Sequence, residues 1–249
     1  MNPKKYRLYY AIILVVLSLL LMSCDRNDPT SKKLSLAEKS TMYAAINVGY
    51  SLGYLASTYA TWIPNYSNTD MARENYTLLV QSNVEFLGGT LSPSPTQLLK
   101  SGRGNNQYAE IESYFGQITK LAEKHSQCIR PVIGMSLASG WLILNTFEAE
   151  KLFVSQNVNA DLLRDFKNHF TSRLSMFSTL AGTAGVLCEE KQYPKMLSKM
   201  FQAIHEDSWA WKERINSSKS NEIISELRIF RNEMDLWING AMRIVGPNP

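Results

Sequence analysis

Asp161, Asp165 and His169 recur at every fourth residue, so on a helix they share one face. A carboxylate and an imidazole one turn apart can reach a common metal ion or act as an oriented acid–base pair. His205-Glu206-Asp207 is a second concentration of the same groups. Asp165, His169, His205 and Glu206 are therefore the candidate metal-ligating or acid–base residues. Neither run carries the H-E-x-x-H signature or the paired Glu-x-x-His of di-iron bundles, and an aspartate at a helix start, such as Asp161, has a simpler role against the helix dipole. The sequence has no G-x-S-x-G elbow, no G-x-x-x-x-G-K-[ST] phosphate loop and no C-x-x-C-H haem attachment. Ser-Gly-Arg-Gly at 101–104 lies among Pro, Asn and Gly and reads as a loop tip. No catalytic residue is assigned, and no cofactor is expected.

Aromatic side chains are the second group with chemical potential. Tyr43, Tyr50, Tyr54, Tyr59, Trp62 and Tyr66 crowd one segment, and Trp141 lies on a later one. Such rings line apolar ligand pockets or fill cores. Trp209 and Trp211 flank Ala210 and cannot face the same way on a helix, so one of them is expected at the surface. Tyr50, Tyr54, Trp141, Trp209 and Trp211 are the candidate ligand or partner contacts.

The elements that position these groups are helical almost throughout, since strand-like alternation is absent over any useful length. Seven helices are expected, over about 36–62, 69–87, 107–125, 130–154, 159–188, 194–215 and 221–245. Ser35 and Glu38 form a capping-box pattern before the first. No charge occurs from Thr41 to Thr69, which marks a helix buried on all sides. Thr90–Asn106 (with SPSP and SGRGNN) reads as the longest loop. The expected fold is an all-α globular bundle of six to seven helices in one domain, 35–249.

A duplication fits this order. Gly49-Tyr50-Ser51-Leu52 resembles Gly134-Met135-Ser136-Leu137, Asp70 to Glu74 resembles Asp161 to Asp165, and Phe115 and Ile118 resemble Phe201 and Ile204. The units would be 36–126 and 128–215, two three-helix repeats about a pseudo-twofold axis, with a C-terminal helix added. Chance similarity between helices of like composition is the competing account. In the repeat, the first and fourth helices meet at the centre, with Gly49, Gly53, Gly134, Ala138 and Ser139 permitting close approach.

The chain of 249 residues opens on a segment of another kind. Lys4, Lys5 and Arg7 precede an uncharged aliphatic run, 8–22, and then Ser23-Cys24 and the polar stretch DRNDPTSKK. A basic start and an apolar core of this length make a secretory signal, 1–23. Leu21-Met22-Ser23-Cys24 resembles the lipobox of bacterial lipoproteins, with Met22 the less usual residue. The resemblance covers the leader alone. It implies cleavage before Cys24, diacylation of its thiol (palmitate-type chains) and acylation of the new amino terminus. Two or three acyl chains anchor stably. Residues 24–34 then form a lipidated tether of about 15–20 Å reach, which holds the domain against its membrane. Asp25 resembles an inner-membrane retention signal of one bacterial group, which leaves inner and outer membrane both open.

Of 26 Lys and Arg, three lie in this leader, so 23 face 22 acidic residues in the rest. That near-neutral balance excludes a strongly basic nucleic-acid binder. With Cys24 lipidated, Cys128 and Cys188 remain. They lie about equally far from the turn between the fourth and fifth helices, so an antiparallel hairpin brings them together as a disulfide candidate, against two separately buried thiols. The function expected first is a non-enzymatic, membrane-anchored module that binds an unknown envelope protein. The alternative is a binder of a small apolar or aromatic ligand between the half-units. A metal-dependent or acid–base enzyme ranks third.

Overall fold

The computed structural model describes residues 33–60, 69–101, 105–155 and 159–246. The leader with Cys24, residues 61–68 with Trp62 and Tyr66, residues 102–104 of the SGRG run and residues 156–158 lie outside the described residues. Eight helices are described: α1 (Leu36–Ala60), α2 (Thr69–Phe86), α3 (Pro95–Lys100), α4 (Asn105–Ala122), α5 (Ile129–Ser155), α6 (Ala160–Glu190), α7 (Lys195–Ser217) and α8 (Ile223–Val245). The fold is an all-α bundle. Its element beyond the expected seven is α3, inside the presumed loop. Ser94 accepts from Gln97 N, the Gln97 side chain accepts from Ser94 N, and Pro95 fills the first turn. This capping box lies in the letters S-P-T-Q and outweighs the loop-like composition around it.

Helices α1 and α5 form the centre. Sixteen of the 25 residues of α1 are buried. Its buried hydroxyls are satisfied within the helix, Ser51 and Ser57 donating to the carbonyls of Asn47 and Gly53, which is why so polar a helix can sit in a core. Helix α5 is the one described helix long and apolar enough to cross a membrane, and 72% of that stretch is buried inside the protein.

Where α1 and α5 cross, their backbones touch. A Cβ on Gly49 would lie 2.2 Å from Leu137 N, one on Gly53 would lie 2.3 Å from Gly140 O, and one on Gly140 would lie 2.0 Å from Gly49 O. The Ser136 hydroxyl fills the remaining space. It donates to Ile46 O at 2.6 Å and accepts from the backbone N–H groups of Gly49 at 2.9 Å and Tyr50 at 3.3 Å. The expectation named the glycines that α1 brings to the crossing, but Gly134 of α5 is not there. Gly134 faces Leu180 of α6, and Ser139 turns back to Ser136 O. Ser136 and Gly140 make the contact instead, because they are four residues apart and face α1 as Gly49 and Gly53 face them.

Around this pair, α2 packs on α1 and α6 on α5. The third helices of the supposed units differ: α7 lies along α6, whereas α4 packs on α1 and α5. Helix α8 closes the bundle against α7, α1 and α5. Cys128, just before α5, is disulfide-linked to Cys188 near the end of α6, with Cα atoms 4.7 Å apart and both residues buried. Closing a loop with a sequence separation of 60 stabilises by about 4 kcal/mol in the chain-entropy model.

Gly49→Ala and Gly140→Ala should each cost at least ~3 kcal/mol, since the nearest atoms are backbone and cannot step aside. Gly116→Ala, at an exposed helical position with nothing within 4 Å of a new Cβ, should instead gain up to about 1 kcal/mol. Urea unfolding of the three variants tests this contrast. The same titration with the Cys128–Cys188 bond reduced should show a loss of about 4 kcal/mol.

Candidate functional site

Of the groups singled out by the sequence, Tyr50, Tyr54, Trp141 and Trp211 fall into three clusters of internal contacts. In the first, α1 offers Tyr50 and Tyr54 to α8. Both hydroxyls donate to Asp235 Oδ1, at 2.5 and 2.9 Å. The Tyr54 ring stacks on Tyr76 of α2 at 5.1 Å and meets Phe147 of α5 edge-on at 5.9 Å. Burial pushes the Asp235 carboxyl up from its ordinary value, despite the two tyrosine hydrogen bonds and Arg231. Burial, with the Asp235 charge and the neighbouring ring, raises both tyrosines as well, so they stay neutral donors.

One turn along α8, Arg231 lies over the Phe147 ring at 4.3 Å and donates to Glu150 Oε2 at 2.7 Å, while Arg228 donates to Glu150 Oε1. Burial alone would raise Glu150, but the two guanidinium hydrogen bonds outweigh it and hold the carboxyl below its ordinary value. These bonds fasten α8 to α5.

In the second cluster Trp141 stacks on Phe115 at 4.2 Å, and the Arg173 guanidinium lies 4.8 Å from its ring centre. Arg173 donates to Asn145, Asn145 to Glu148 and Tyr108 to Glu148, joining α4, α5 and α6. In the third, the buried Trp211 indole donates to Glu233 at 2.6 Å, and Arg214 grips the same carboxylate through both terminal nitrogens. Asp207 nearby is raised by burial, then by the charges of Glu233 and Glu206.

The candidate metal and acid–base residues do not converge. Among the described residues no three His, Cys, Asp or Glu side chains form a metal-binding group. Asp165 and His169 are both exposed on α6, and Asp165 lies 3.8 Å from Arg164. His205 turns into the α6–α7 seam, its Nδ1 2.9 Å from both the carbonyl and the hydroxyl of Ser178, while Glu206 points to solvent. Helical spacing set Asp165 and His169 on one exposed face of α6, while packing turned His205 into a seam and left Glu206 in solvent. Tyr50, Tyr54, Trp141 and Trp211 are spent on internal contacts, and of the five only Trp209 is largely exposed, at 60%.

Exposed large apolar side chains also occur singly on other helices, at Leu36, Val154, Met176, Val186, Trp209 and Leu236, but on α2 four of them align. Met71, Leu78, Leu79 and Phe86 are exposed apolar residues, at 58, 54, 38 and 43%. At i, i+7, i+8 and i+15 they line one face over about four turns, or about 22 Å, with Asn75 and Ser82 between them. Glu74 and Glu85, both exposed, border one edge. Val80, Val84 and Leu87 bury the opposite face. The sequence reading passed over this stripe, although its signal was legible: α2 carries apolar residues on two faces, and a peripheral helix can bury only one.

The chain matches no protein-family model, and no curated protein or solved structure is significantly similar to it.

Replacing Glu150 by Gln should cost about 2 kcal/mol at neutral pH, by leaving Arg228 and Arg231 without their carboxylate. Glu150 has a folded pKa below its unfolded value, so its ionisation stabilises the fold above the ordinary 4.5, and this contribution is lost as pH falls through the depressed folded value. Urea unfolding of wild type and Glu150→Gln at pH 7 and pH 3 should therefore show the gap between them shrinking in acid.

Proposed function

We propose that the protein is a cell-envelope lipoprotein whose helical domain is a non-enzymatic module for binding another protein. Acyl chains on Cys24 hold it to a membrane, and the domain faces the periplasm or the exterior. The observation that carries the binding role is the exposed apolar face of α2, while the titratable and aromatic clusters are all paired within the fold. An aligned apolar face with a polar border suits a protein interface. A small-ligand cleft finds little support, because Tyr54, Trp141 and Trp211 already pack against their own chain.

The anchor reading rests on the leader: a basic start, an apolar run and Leu21-Met22-Ser23-Cys24. The buried Cys128–Cys188 bond suits a compartment in which disulfides persist.

Mass spectrometry of the protein from its host's membranes should find a mature chain beginning at Cys24 with acyl chains attached. Cys24→Ala should abolish the acylation and leave the leader uncleaved. A wild-type chain beginning elsewhere, or bare at Cys24, would contradict the anchor.

A further inference from the structure

The α2 face has a chemical character beyond being apolar. Its exposed arc runs Leu78, Met71, Asn75, Phe86, Leu79, with no basic residue on it. The one basic residue of α2, Arg73, is turned inward, where it donates to Thr58 O at 2.9 Å and to Asp70 at 2.8 Å. Acid lies on one side only. Glu74 and Glu85 are three turns apart along the same edge, and Asp70 continues that edge towards the start of the helix. The far edge, towards Ala72 and Asn83, is neutral.

We propose that this face docks an amphipathic helix of a partner protein whose apolar stripe lies on Met71, Leu78, Leu79 and Phe86 and whose Lys or Arg residues meet Glu74 and Glu85. This deepens the interaction reading and rests on it. The charge pattern selects the occupant. Carboxylates along the border attract a basic helix and set its register, as charges at interface rims do. The same carboxylates oppose an anionic lipid surface. A second copy of this chain offers no basic residue from its own α2 face to meet them. The stripe's length of about 22 Å matches a helix of about 15 residues.

The test is site-specific photo-crosslinking of the full-length, membrane-anchored protein in its own host, with a benzophenone side chain in place of Leu78 and, separately, of Trp209. The expected result is a crosslink from position 78 to a predicted helix of another protein that carries Lys or Arg beside its apolar residues. Combining the probe with Glu74→Lys and Glu85→Lys should lower the yield about five- to tenfold, with an unchanged unfolding midpoint. Capture of a second copy, capture of lipid, or a yield indifferent to charge reversal would overturn the proposal. A crosslink from position 209 alone would also overturn it while leaving the interaction module standing. No protein crosslink from either position would count against both.

Discussion

The bundle depends on one contact, the crossing of α1 and α5 at Gly49, Gly53, Ser136 and Gly140. Two helices approach until backbone meets backbone only if no Cβ intervenes, and here three glycines supply that. The approach buries polar backbone, and the Ser136 hydroxyl offsets this by taking two N–H groups of α1 and giving its proton to Ile46 O. A larger residue at any of the three glycines would push the helices apart by more than a rotamer change can absorb. All else is referred to this pair. Helices α2 and α6 pack on its flanks, α4 packs on both its members, and α7 packs mainly on α6 and α8. The Cys128–Cys188 bond then ties α5 to α6 at the end away from their connecting turn.

Helix α8 is held by a different physics. It is strongly amphipathic, and its buried row from Ile223 through Leu227, Phe230, Met234, Ile238 and Ala241 to Val245 supplies the apolar contact. Its orientation is fixed by charge and hydrogen bonds: Asp235 to two tyrosines of α1, Arg228 and Arg231 to Glu150 of α5, and Glu233 to Trp211 and Arg214 of α7. Each carboxylate in the set has a donor from another helix, so none is left as a buried charge without a partner. These groups act as fasteners between helices.

Much of this architecture was legible in the residues. The charge-free stretch from Thr41 required a buried helix, Ser35 with Glu38 marked its start, and Gly88-Gly89 marked the end of α2, where Gly88 takes a positive φ of 69°. Equal distances from a turn brought Cys128 and Cys188 together, because antiparallel helices preserve such distances. What could not be read was which face of each helix turns to which neighbour. Gly134 and Gly140 are both glycines of α5, and only the crossing register puts Gly140 against α1 and Gly134 against α6. The same limit hid the partners of His205 and Trp141, Ser178 and Phe115, which are 27 and 26 residues away and are supplied by packing. The two apolar faces of α2 were legible as well, and only which of them stays exposed belongs to the assembled fold. The leader is the reverse case, where the letters carry the whole argument.

Amide hydrogen exchange of the native domain tests the central claim most directly. If the α1–α5 contact is the element on which the fold depends, the amides of 46–54 and 133–141 should be the slowest in the protein. They should share one opening free energy equal to that of global unfolding. Faster exchange is expected from α2 and α3, which lie on the flank. Exchange of α1 and α5 at different and lower opening energies, with α6 and α7 the slowest, would contradict the account and move the foundation of the fold to the α6–α7 hairpin.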